Sequence, residues 1–272
     1  MAVGPSSGAE ASEDPGVDTN GFILRAPRNP IGPDFLDLLK DVCATLDARI
    51  GPLLHSIYVY GSVATGQAKP FISDIDLSMV LQRPATAPEL AAIESARIAL
   101  EKRHPEVVKV DFDIGVLADV LSPARELEWG YWLKHHCRCV LGEDLSERFE
   151  PFKPSRAIAQ AVNSDFDVVL SKYAERIAIL DEGVPSAKLQ REAARKLIRS
   201  TNILRSSEDQ TWPMSLGAHL AAFRRRFPLM GEELDFFMRE ATDPAATREE
   251  FVRRLKGFTN WMSRCAEQKR DC

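Results

Sequence analysis

The stretch YVYGSVATGQAKPFISDIDLSMVL, residues 58–81, ends one apolar run in Gly61-Ser62 and opens the next with Asp74-Ile75-Asp76. Side chains alternate across a strand, so Asp74 and Asp76 share one face while Ile75, Leu77 and Met79 pack under the sheet. Two carboxylates so placed repel one another and raise each other's pKa unless a cation lies between them, and oxygen-only ligands at this spacing suit Mg²⁺. Downstream, VVKVDFDIGVL (residues 107–117) repeats the arrangement, with Lys109, Asp111 and Asp113 on one face and Val108, Val110, Phe112 and Ile114 on the other. If the two strands are neighbours, one of these aspartates completes a three-carboxylate cluster. Such a cluster is what two-metal phosphoryl transfer requires, and one of its members can act as general base for an attacking hydroxyl. Gly61, at a strand end, lets the backbone approach a phosphate, and the Ser62 hydroxyl with nearby N–H groups can hydrogen-bond phosphate oxygens.

A strand ending in Gly-Ser, a short loop, a strand opening with Asp-x-Asp, a helix and a second acidic strand together point to nucleotidyl transfer. The segment resembles the nucleotidyltransferase superfamily that includes polymerase-β-like enzymes and kanamycin nucleotidyltransferase. Residues 58–80 are especially similar to the streptomycin and spectinomycin adenylyltransferases, and ARELEWGYW (124–132) and LGEDL (141–145) are similar to segments that follow the active site in those enzymes. The resemblance implies that Gly61 and Ser62 bind phosphate and that Asp74 and Asp76 bind metal. The drug-modifying enzymes carry a glutamate on this strand, where this chain has only aspartates; Asp111 is expected as the third carboxylate, with Asp113 as the alternative, since Asp113 is expected to bind a positively charged partner instead. It also implies transfer of AMP from ATP, with Mg²⁺, to a hydroxyl of a small acceptor such as an aminoglycoside, and a homodimer by analogy with the kanamycin enzyme. Two other readings stay open: an adenylyltransferase acting on a protein or RNA partner, antitoxin-like, and a catalytically silent nucleotide-binding module.

The chain has 272 residues, 44% of them hydrophobic, and a net charge of -5, which offers no global reason to bind nucleic acid or an anionic membrane. No apolar run is long enough for a membrane helix and the start lacks a secretory signal, so a soluble, cytoplasmic protein is expected. The five cysteines show no framework spacing, and no disulfide is expected. Residues 1–20 are rich in Gly, Pro, Ser and acids and read as a flexible tail. Residues 21–150 read as a nucleotidyltransferase domain with a small mixed sheet and residues 151–272 as a helical bundle, an α+β fold.

Within the first domain, Phe35, Leu38, Leu39, Val42, Leu46 and Ile50 recur at helical spacing, which predicts a helix over Pro33 to Ile50. Further helices are expected over residues 89–104 and 124–136. The second domain carries helical periodicity over 156–183, 186–207, 215–227, 231–241 and 247–265. Lys188, Arg191, Arg195 and Arg199 form one basic stripe with Lys196 beside it, and Arg195, Lys196 and Arg199 are the cations expected to reach the nucleotide phosphates. A polycationic acceptor needs acids, for which Glu126, Glu128, Asp165 and Asp167 are candidates. Trp129, Tyr131 and Trp132, at helical spacing, read as core.

Because Asp74 and Asp76 are expected to stabilise the transition state rather than the core, Asp74→Asn or Asp76→Asn should abolish transfer of a radiolabelled nucleotide while circular dichroism still reports a folded chain.

Overall fold

The computed structural model of the chain describes residues 15–181 and 183–268. It divides into two compact units, Phe22–Lys153 and a helical one made of Pro154–Cys272 with Met1–Gly21. Of the expected tail, residues 1–14 lie outside the described residues. Pro15 and Gly16 belong to the helical unit, where the Pro15 carbonyl accepts a hydrogen bond from the Trp212 N–H at 2.8 Å.

The first unit is built on four strands, β1 (Leu54–Tyr60), β2 (Ile75–Leu81), β3 (Val110–Val116) and β4 (Arg138–Gly142), in the order β3-β2-β1-β4. β1 pairs antiparallel with both β2 and β4, whereas β2 and β3 run parallel, so the sheet is mixed. Helix α1 (Pro33–Ile50) has the expected bounds, and the six apolar positions read from its periodicity are the six that it buries. Between β1 and β2 the chain makes a four-residue helix, α2 (Gly61–Ala64), where the sequence suggested only a loop. Helix α3 (Ala87–Arg103) supplies the long crossover that parallel pairing of β2 and β3 demands. Its start is fixed by a capping box: the Glu89 carboxylate accepts from the Thr86 N–H at 2.7 Å, which satisfies one of the orphan donors of a helix end. Ile93, Ala96 and Leu100 of α3 join the α1 residues against Ile57, Val59, Ile75, Leu77, Met79 and Val110, and this apolar layer covers one face of the sheet.

The other face is covered by residues 117–137, and here the winding differs from the single helix expected over 124–136. After the short α4 (Leu117–Val120), a 3-10 turn at Pro123–Arg125 leads into a π turn at Glu126–Gly130, and only Tyr131–His135 (α5) is α-helical. The ring of Phe149 lies against Gly130, where even a methyl group would come within 2.7 Å of it. The local path therefore follows tertiary packing rather than propensity.

The second unit is helical: α6 (Arg156–Ala161), α7 (Phe166–Ala178), α8 (Ala187–Ser200), α9 (Leu216–Arg226), α10 (Gly231–Glu240) and α11 (Arg248–Gln268). The helix expected over 156–183 is broken between α6 and α7, where buried Asn163 turns its side-chain amide onto the Ala159 carbonyl at 2.9 Å. The next, expected over 186–207, ends at Ser200 and tightens into a 3-10 turn at Thr201–Leu204. Phe166, Leu170, Leu197, Ile198, Phe237, Phe251, Phe258 and Met262 belong to one core, in which the ring of Phe237 meets those of Phe251 and Phe258 at 5.8 and 5.7 Å. No helix among the described residues is long and apolar enough to cross a membrane.

Candidate active site

Register decides which polar side chains meet. On β1 and β2 the directly opposed pairs Tyr60–Asp76 and Tyr58–Ser78 share the face away from α1 and α3. The parallel register of β2 and β3 adds Asp111 opposite Asp76, Asp113 opposite Ser78 and Gly115 opposite Val80. Three acids expected on one face are therefore neighbours, with Asp111 the closer of the two β3 candidates to Asp76 along the ladder.

Asp76 is the point on which the site's charge is concentrated. Burial, reinforced by the charges of Asp111, Asp74 and Asp113, pushes its carboxyl up to about 7, and Lys109 offsets only part of this. Gly61 makes room for it. The glycine has φ 70°, a conformation that side chains disfavour, and a Cβ there would lie 2.6 Å from the Asp76 Oδ2. Ser62 follows in the first turn of α2, and its carbonyl accepts from Gln67 and Ala68 N–H at 2.9 and 3.0 Å, which folds the connecting loop back onto the strand end.

The β3 acids have partners of their own. Lys109 Nζ lies 2.5 Å from Asp111 Oδ1, and the Tyr60 hydroxyl donates to Asp113 Oδ2 at 2.6 Å. Burial, then Asp113, pushes the Tyr60 phenol above its ordinary range, so it stays a donor at every working pH. Among the described residues no three acid, histidine or cysteine side chains already converge as a metal cage. The coupling of Asp76 to Asp74 and Asp111 nevertheless gives the chemistry of a hard-cation site: crowded oxygen donors, one of them driven toward protonation even with Lys109 nearby.

Two aromatic residues on this face escaped the sequence reading. Tyr60 has the period-2 position that places it beside Asp76, a signal available in the sequence. Trp132, read as core, meets the Tyr60 ring edge-on at 5.0 Å, donates to the Ser78 hydroxyl at 3.3 Å and stacks on His136 at 4.8 Å. It forms a wall of the acid face. Trp129 lies against Gly115, where a methyl would come within 2.7 Å of its ring.

The pattern that defines the nucleotidyltransferase domain matches residues 39–184, more than half of the chain and all four strands. The chain belongs to this nucleotidyltransferase family. Its members are enzymes, and the acid face lies within the matched part of the nucleotidyltransferase. Among solved structures, the chain is similar to spectinomycin adenyltransferase AAD(9) from Enterococcus faecialis, crystallised with ATP and spectinomycin. The TM-score is 0.57 and the identity 12%, over 85% of this chain and 99% of that one, which establishes a common fold.

Arg195, Lys196 and Arg199 are on α8 of the helical unit. Arg195 Nε donates to the Ala241 carbonyl at 3.1 Å, and Lys196 Nζ pairs with Asp165 at 3.1 Å, so a cation proposed for phosphate and an acid proposed for the acceptor neutralise one another. Glu128 is held by Arg125 at 2.6 Å. A cavity of about 340 Å³ in the helical unit, lined among others by Arg205, His219 and Arg226, contains none of the candidate site residues.

The raised carboxyl of Asp76 has a signed consequence. Its unfolded pKa is near 3.9, so the folded state binds its proton more tightly, and the stability this provides is full below about pH 4 and is lost as pH rises through about 7. In chelator at pH 8, Asp76→Asn should melt higher than wild type, by up to a few kcal/mol of unfolding free energy. The gap should close at pH 4, as followed by thermal denaturation across that range. Gly61→Ala should cost about 1–2 kcal/mol of stability from its φ and reduce transfer at least tenfold by displacing Asp76; melting and initial rates measure the two effects separately.

Proposed function

We propose that this nucleotidyltransferase moves AMP from ATP to a hydroxyl of a small-molecule acceptor such as an aminoglycoside, with Mg²⁺. The observation that carries the reading is the register that sets Asp111 opposite Asp76 on one sheet face beside the left-handed Gly61. In it, Gly61 and Ser62 hold the triphosphate by backbone and hydroxyl donors. Asp74, Asp76 and Asp111 hold magnesium, which when bound would offset phosphate charge and ease departure of pyrophosphate. Asp111 also accepts the proton of the attacking hydroxyl, and Lys109 at 2.5 Å orients it. Tyr60 and Trp132 brace the acid face, with the Tyr60 hydroxyl holding Asp113.

Arg195, Lys196 and Arg199 add positive potential for the phosphates. A charge-assisted bond to phosphate is stronger than Arg195's bond to a neutral carbonyl, and the partly exposed Lys196–Asp165 pair contributes about 1 kcal/mol or less, so both exchange partners at small cost. The ligands of the similar AAD(9) structure, ATP and spectinomycin, support the choice of nucleotide and acceptor class.

The test is incubation of purified protein with each α-labelled nucleotide, Mg²⁺ and either an aminoglycoside panel, spectinomycin included, or cell lysate. Label from ATP should move to a small molecule with release of pyrophosphate, and EDTA should stop it. Label on a protein or RNA would replace the acceptor assignment, and no transfer from any nucleotide would overturn the reaction.

A further inference from the structure

Helix α2 carries Gly61 and Ser62 but has only four residues, far below the roughly 12–15 at which a helix begins to hold itself in water. Its shape is therefore imposed by what touches it. Val63 and Ala64 are buried in the apolar layer, which fixes one side. The Thr65 hydroxyl donates to the Gly61 and Ser62 carbonyls, each at 3.2 Å, so the turn closes on itself. Two side chains from elsewhere in the first unit then hold its far end. Arg138 Nη1 donates to the Ala64 carbonyl at 2.7 Å, and Asn29 Nδ2 donates to the Thr65 carbonyl at 3.0 Å.

The same Arg138 nitrogen also donates to the Asn29 carbonyl at 2.9 Å, so one guanidinium joins β4, the segment before α1 and α2. That segment is fastened along its length. Ile23 N–H donates to the Phe152 carbonyl at 2.8 Å and Ala26 N–H to the His135 carbonyl at 2.7 Å. Gly66 lets it lie close: the glycine has φ 69°, and a Cβ there would come within 2.6 Å of the Pro30 carbonyl oxygen and 2.8 Å of the Asn29 Cβ. Register explains why Arg138 reaches the turn. β4 is an edge strand paired with β1, and Arg138 stands opposite Val59, two residues before Gly61. An arginine opposite a fully buried valine is costly unless its N–H groups are bonded, and both bonds of Nη1 go to main-chain carbonyls. Ala64 lies one helical turn after Gly61, so a shift of one carries the other with it.

We propose that Arg138, with Asn29 as its second tie, is a positioning residue for the nucleotide: it holds the α2 turn in the conformation in which Gly61 and Ser62 receive the triphosphate, and acts through that turn rather than on the nucleotide itself. This rests on the roles of Gly61 and Ser62 given under Proposed function. Donors fixed before a ligand arrives spare it the cost of ordering them, so the ties act on nucleotide affinity. Acceptor binding, which the turn does not serve, stays independent of them.

The test compares the full wild-type chain with Arg138→Met, which keeps the length of the side chain without its donors, with Arg138→Lys and with Asn29→Ala. Calorimetry measures binding of an ATP analogue carrying a methylene group between its α and β phosphates, in Mg²⁺, at a temperature where circular dichroism shows each variant folded; pyrophosphate release gives the kinetics. In Arg138→Met the Kd of the analogue and the KM for ATP should rise tenfold or more, with the acceptor KM changed less than twofold. Arg138→Lys, whose ammonium can donate to both carbonyls, should recover most of the loss. Asn29→Ala, which removes no charge, should raise the Kd of the analogue two- to fivefold. The proposal is overturned if folded Arg138→Met binds the analogue within twofold of wild type, if acceptor affinity falls in parallel, or if Arg138→Lys is no better than Arg138→Met. It is equally overturned if Asn29→Ala leaves the Kd unchanged, since Arg138 would then act by its charge; where Arg138→Met does not fold, Asn29→Ala decides alone. Wild type that binds the analogue without transferring label from ATP sinks the reaction while the calorimetry still decides on Arg138, and wild type that binds no nucleotide overturns both. Normal turnover with an unchanged ATP KM in Arg138→Met sinks the positioning role and leaves the reaction standing.

Discussion

Carboxylates crowded around Asp76 are the constraint to which the first unit is fitted. An ionised acid in a mostly buried strand, with Asp111, Asp74 and Asp113 near it, is unfavourable by desolvation and by like charge. The sheet accommodates it by alternation. The same pleat that turns Asp76 to one face turns Ile75 and Leu77, both fully buried, into the apolar layer beneath α1 and α3. Burial on that side supplies the stability that the acid face lacks, on the order of 1.5–3 kcal/mol for each large apolar side chain. The two faces are thus linked energetically: the core holds the register, and the register holds the charges together.

The acid face is bordered by polar aromatics rather than aliphatics. Tyr60 binds Asp113, Trp132 packs edge-on to Tyr60 and reaches Ser78, and Tyr58, fully buried, accepts the Leu145 N–H at 2.7 Å while donating to the Glu143 carbonyl at 3.0 Å. Each ring contributes packing area and one directed bond. The covering segment must approach the sheet closely to do this, which explains the glycines at 115 and 130 and the uneven winding between Pro123 and His135. A regular α-helix over those residues would not follow this path.

Much of this was legible from residue order. The six buried positions of α1, the alternation across β2 and the mixed character of the sheet follow from periodicity and connection length. What escaped shares one cause, namely that helical spacing looks the same whether a side chain enters a core or walls a site. Trp132 was indistinguishable from core by spacing, and the cations and acids of the second unit gave no sign that Lys196 would pair with Asp165.

By itself, the sequence determined the class of fold and the kind of chemistry, since strand alternation, helix periodicity and a Gly-Ser followed by Asp-x-Asp are short-range properties of the chain. Tertiary structure alone decided which acids meet. Parallel pairing through the α3 crossover could have set Asp76 against any residue of β3, and a slip of one position would have turned Asp111 to the apolar face. That choice belongs to the packing of the whole layer against α1 and α3, where register is selected by the summed burial of side chains far apart in sequence.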